Sequence, residues 1–196
     1  MPSERYQQVY AANQFSGLSP GGEYITQIAF RPNADNGFAF STVLPSIRID
    51  LSTVATGPDA LSSLFANNVG VDDTIVYGGS SGSSLSLSSS FTGPATGPKN
   101  FDITINLTTP FFYNPAAGNL LLDVRNFGGG TATFLYFEYL NAAGDAISRV
   151  GTYNSGNVTS TSADFADSGG LVTRFTTVAP EPSVISLIAQ IGRAHV

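Results

Sequence analysis

Hydrophobic and polar residues alternate along much of this chain with a period of two, the mark of strands that bury one face. In FDITINL, Phe101, Ile103, Ile105 and Leu107 point one way, while Asp102, Thr104 and Asn106 point the other. In SIRIDLS, Ile47, Ile49 and Leu51 oppose Arg48 and Asp50. In LLLDVRN, Leu120, Leu122 and Val124 oppose Leu121, Asp123 and Arg125. SSLSLSSSF repeats the pattern with serine on its polar side and Leu85, Leu87 and Phe91 opposite. Further strands are predicted at RYQQVY, EYITQIAF (23–30), DTIVYG (73–78), TATFLYFEYL (131–140), ISRVG (147–151) and LVTRFTTV (171–178), which are rich in β-branched and aromatic residues. Turn sequences such as SPGG, RPNADNG, YGGSSGSS and YNPAAGN separate them. Only PDALSSLFANNV (58–69) has room for a helical turn or two, with Asp59 as its cap. About ten strands at near-regular spacing predict an all-β fold. The expected form is an antiparallel β-sandwich, jelly-roll-like, as a single domain over residues 1–178.

Composition narrows the setting. Of 196 residues 42% are hydrophobic, enough for a core, but only 11% are charged, so Ser, Thr, Asn and Gly must supply the polar surface. A net charge of −6 with eight scattered cations leaves no basic stripe for phosphates, which excludes nucleic acid as a partner. Cysteine is absent, and with it disulfides and thiolate chemistry. The opening MPSERYQQVYAANQF lacks the apolar stretch of a signal peptide, which taken alone favours the cytoplasm; it also already reads as a strand inside a domain, and the other reading is a truncated start that has lost its leader.

Candidate chemistry is sparse, and no catalytic group or cofactor motif can be named. NFGGG and YGGSSGSS lack the Lys-Ser/Thr and following helix of a phosphate loop and read as turns. Adjacent Asp72 and Asp73 would face opposite ways at a strand start and belong to a turn. Asp164 and Asp167 in SADFADSGG are better spaced for oxygen-rich Ca2+ coordination, joined by Asp35 or Asp145 from another loop; the alternative is a solvated loop with a capping aspartate. For glycan contact the candidates are Phe112 and Tyr113 in PFFYNP, and Tyr136 beside Phe134 in TATFLYFEYL; burial between two layers is the competing reading.

After the last strand, two prolines in APEPS stop sheet formation at a linker spanning 179–183, and an apolar run, VISLIA, follows within 184–196. That run is too short to cross a bilayer, which needs about 20 apolar residues. TTVAPEPSVISLIA resembles the start of a PEP-CTERM sorting signal of exported proteins in Gram-negative bacteria that make exopolysaccharide. Pro180, Glu181 and Pro182 match its opening motif, and Val184 to Ala189 match the first part of its apolar stretch. RYQQVY, ITQIAFRPN, GPKNFDITINL and SADFADSGGLVTRF resemble ectodomains found ahead of such signals. The last six residues, IGRAHV (191–196), resemble a translated sequencing adapter, so they are expected not to be native and His195 is not recruited as a base or ligand.

The resemblance implies an exported cell-surface or extracellular-matrix protein; with no catalytic group to name, its expected role is structural or adhesive and non-catalytic. Its partners would be a sorting and processing transpeptidase of the exosortase type, and exopolysaccharide. Membrane contact would come only through the missing full-length C-terminal segment. The alternative is a glycan- or calcium-binding lectin-like module.

Overall fold

Residues 4–129, 137–153 and 157–181 are described by a computed structural model. Its strands are β1 (Glu4–Tyr10), β2 (Glu23–Phe30), β3 (Phe40–Val54), β4 (Thr74–Tyr77), β5 (Ser83–Ser89), β6 (Ile103–Tyr113), β7 (Asn119–Asn126), β8 (Tyr139–Asn141), β9 (Ile147–Gly151), β10 (Phe165–Asp167), β11 (Gly169–Leu171) and β12 (Thr173–Val178). The main sheet runs β10-β9-β1-β7-β3-β4, with β5 also paired to β3; the second runs β12-β2-β6, and β8 pairs with β11. All pairings are antiparallel. The fold is all-β, an antiparallel sandwich, as the alternation requires.

Alternate residues of each strand meet between the sheets. Leu120 and Leu122 of β7 join Ile47 and Ile49 of β3, and face Ile25 and Ile28 of β2 and Ile103 of β6, all fully or almost fully buried. Each such side chain stabilises the fold by about 1.5–3 kcal/mol relative to exposure. Tyr10, Phe15 and Phe175 close one flank with edge-on or tilted ring contacts at 5.0 and 5.6 Å.

Several elements differ from the sequence pattern for local reasons. β3 begins at Phe40 and runs through Pro45, because a register shift between Leu44 and Ile47 takes the proline out of the ladder. β6 runs on to Tyr113 past a second irregularity. LVTRFTTV divides at Val172, and its two parts pair in different sheets. In 58–69 the one helical element is a 3-10 turn at Phe65–Asn68, with Leu64 at its N-cap position. Asp59 does not cap it: with φ 60°, its carboxylate accepts the Gly144 N–H at 2.9 Å and ties down a different loop. TATFLYFEYL lies largely outside the described residues, apart from its end in β8.

The outer face of the main sheet carries charges that the sequence pattern would send to solvent. Arg5, Arg125 and Arg48 pair in one row across β1, β7 and β3, and Gln7, Asp123 and Asp50 in the next. Asp50 and Asp123 are 1% and 2% exposed. Arg5 donates from Nε to Asp123 Oδ1 at 3.1 Å and from Nη2 to Oδ2, and Arg48 forks onto Asp50. The cover is the 58–69 segment: Phe65 lies beneath the Arg5 guanidinium at 4.6 Å, and Asn68 donates to Gln7 Oε1 at 2.9 Å.

At the edge of this network, burial pushes the Asp73 carboxyl up to about 6 from 3.8, with the charges of Asp50 and Asp123 adding. An acid with a raised pKa holds its proton more tightly when folded. Its contribution is therefore fullest below pH 3.8 and is lost as pH rises through about 6. Because water reaches this exposed residue, Asp73→Asn is expected to stabilise by no more than about 1 kcal/mol at pH 7.5 and by nothing below pH 3.8. Urea melts at the two pH values check it; a destabilised variant at pH 7.5 would contradict the partial desolvation of that charge.

Candidate functional site

The second sheet turns most of its outer face to solvent, although Ala29 on its central strand is fully buried, and its register gathers residues far apart in sequence. Val178 stands opposite Tyr24, and Tyr24 opposite Phe112. Thr176 stands opposite Gln27 and Gln27 opposite Asn106; Arg174 stands opposite Ala29 and Ala29 opposite Thr104. The five-residue step from Ala29 to Tyr24 spans about 16 Å of strand. This makes a flat strip three strands wide with an aromatic end, an amide-hydroxyl middle and a cationic end.

At the aromatic end, Tyr24 and Phe112 are 38% and 42% exposed, with ring centroids 5.2 Å apart and planes at 65°. Gly22 fits beneath: with φ 89°, a Cβ there would come within 2.9 Å of the Phe112 ring and 2.7 Å of the Tyr113 carbonyl oxygen. In the middle, Thr176 Oγ1 donates to Gln27 Oε1 at 3.3 Å, and Gln27 Nε2 donates to Asn106 Oδ1 at 2.8 Å. Nearby, Thr177 and Ser19 donate to Glu23 and hold its carboxyl below the usual range. At the cationic end, the Arg31 and Arg174 guanidiniums lie 5.1 and 5.2 Å from the Phe101 ring centroid. Arg174 also donates to the Phe101 carbonyl at 3.3 Å.

Such a strip suits a polyhydroxylated ligand. Aromatic rings offer apolar surface for the C–H face of a sugar, and amides and hydroxyls offer donors and acceptors for its hydroxyl groups. Its flatness favours a polymer lying across it over a small molecule sunk in a pocket. Two concavities compare poorly. A flank groove of about 650 Å³ lies among Phe15, Leu18, Leu140 and Phe175; the Tyr10 hydroxyl there is paired with Thr173 and Asp145 Oδ1 accepts the Ile147 N–H, while Asp145 Oδ2 is buried without a partner. A hollow of about 350 Å³ between the sheets has mostly aliphatic walls, and at its rim Arg149 is taken by Asp167 and Thr152 by the Arg5 backbone.

Of the sequence candidates, Phe112 stands on the strip. Tyr113, its neighbour in β6, points the opposite way: it is fully buried, donates to the Gly118 carbonyl at 2.8 Å, and burial pushes its hydroxyl up to about 12. It presents no surface to a glycan. Tyr136 and Phe134 lie outside the described residues, as do Pro182 and His195.

Asp167 forks onto Arg149 at 2.8 and 3.1 Å, a pairing that holds its carboxyl below the usual range. That guanidinium lies over Tyr139 and Phe165. Asp164 accepts the Tyr153 N–H at 3.0 Å, a loop-capping role. Asp35 lies in the 33–36 turn, and Asp145 caps Ile147. Among the described residues no three acids or histidines are grouped to hold a metal ion. Asp72 accepts the Thr53 N–H at 2.7 Å from the turn before β4. Pro180 and Glu181 are exposed just beyond β12.

Sequence reasoning missed Tyr24, Gln27, Arg174 and Phe101 as members of one surface. Their grouping depends on cross-strand register, which no short motif encodes. No protein-family model, curated protein or solved structure matches this chain.

Proposed function

We propose that this chain is the non-catalytic, adhesive ectodomain of an exported bacterial surface or matrix protein, and that the outer face of β12-β2-β6 is its glycan-binding surface. The observation that carries the reading is the uncovered row Thr176–Gln27–Asn106 beside the exposed Tyr24–Phe112 pair. Both N–H bonds of the Asn106 amide and one of the Gln27 amide have no acceptor among the described residues, so donors remain for ligand hydroxyls. The low charge and hydroxyl-rich surface suit a polysaccharide envelope. Export rests on Pro180, Glu181 and Pro182 followed by VISLIA, the segment on which a sorting transpeptidase would act.

Binding to immobilised neutral and acidic polysaccharides tests the adhesive part. Tyr24→Ala and Phe112→Ala should each weaken capture about tenfold, the size of one aromatic anchor, with an unchanged melting temperature. No capture on any polysaccharide overturns the glycan reading. Fractionation of cells carrying the native gene tests export, and recovery in the cytoplasm alone overturns it.

A further inference from the structure

We infer that the cationic end of this strip reads the carboxylate of an acidic polysaccharide, so that the ligand is a uronate-bearing chain and not a neutral one. This rests on the glycan reading of the same face and names its substrate class.

Arg5, Arg48, Arg125 and Arg149 each have an aspartate within 4.0 Å. Arg174 and Lys99 have no carboxylate that close among the described residues, although acids outnumber bases 14 to 8 in the chain. Arg31 reaches Glu138 only at 4.0 Å, and its Nε is buried without a partner. These three cations belong to one corner. Arg31 and Arg174 share the Phe101 ring, and Lys99, two residues earlier, lies 4.9 Å from the Phe91 centroid.

In an acidic protein, two cations without a nearby acid and a third held by one only at the limit of contact, all in one corner, are the unusual feature. Both guanidiniums pack on the Phe101 ring, which places them within about 10 Å of each other. A guanidinium fork matches a carboxylate bidentately, and such charge-assisted bonds are about twice as strong as neutral ones. Because Arg174 precedes Thr176 on β12, an anionic sugar ring there would continue directly onto the amide-hydroxyl row.

Polygalacturonate and its fully methyl-esterified form share a backbone and differ in charge. The full-length chain should bind polygalacturonate at least tenfold more tightly than the ester, and the difference should shrink with added salt. Arg174→Gln should remove most of the preference by weakening polygalacturonate binding several-fold more than ester binding, with the melting temperature unchanged; Arg174→Lys should restore part of it. Phe112→Ala should weaken both forms alike. Equal binding of acid and ester, or a preference intact in Arg174→Gln, overturns the inference and leaves the glycan reading standing. Binding to neither form, nor to any polysaccharide, overturns both.

Discussion

Replacing Asp123 with alanine should lower the unfolding free energy by about 3–5 kcal/mol and the melting temperature by roughly 6–20 °C. The side chain is 3% exposed, takes two bonds from Arg5 and one from Gln7, and lies 3.6 Å from Arg125. Removing it leaves the Arg5 guanidinium, whose side chain is only 10% exposed, desolvated and without an anion. The loss is the penalty of a stranded charge, not the net worth of the pair, so Asp123→Leu with Arg5→Met should recover much of it. Urea denaturation of the three proteins decides the matter. A cost below about 1 kcal/mol for the alanine variant would mean that water reaches Arg5 and the face is open.

Phe65→Ala should cost a similar amount, about 3–5 kcal/mol, for a different reason. Phe65 is fully buried although it sits in a four-residue 3-10 turn, because it packs against Arg5 and Gln7 at the β1 end of the polar rows. Truncation opens a cavity, removes the ring under Arg5, and loosens the turn whose carbonyl accepts from Gln7 at 3.2 Å. Since both changes expose the same guanidinium, the double variant should cost at least 1 kcal/mol less than the sum of the singles. Strict additivity in the same urea experiments would show that the turn and the ion pair act independently.

The strand pattern was readable because alternation is local. β2 and β9 begin and end where EYITQIAF and ISRVG do, and β1 and β7 differ from their sequence segments by one residue at the start. What escaped was anything set by a third element. Arg-x-Asp in β3 and Asp-x-Arg in β7 look like solvent-facing positions, but Asp50 and Asp123 are buried under arginines, beside a loop that covers Arg5 and Gln7, and alternation carries no record of that cover. The repeated i, i+2 pairing of opposite charges on adjacent strands was the available signal. On the second sheet, the bulge between Ile25 and Gln27 decides which residues of β6 stand opposite which of β2. Phe112 was visible as an aromatic in a loop-like sequence, but its pairing with Tyr24 depends on that bulge. Tyr113 was a poorer candidate for the same reason of parity: one step along β6 moves a side chain from water to core.

β12 is at once an edge of the proposed adhesive sheet and the last strand before Pro180. Tension between a bound polymer and an anchored C-terminus would run along the strand axis, loading the β12–β2 hydrogen bonds in shear, all together, instead of peeling them one at a time. Under the proposed anchoring, such a joint would resist pulling best in the direction in which a leash would hold it.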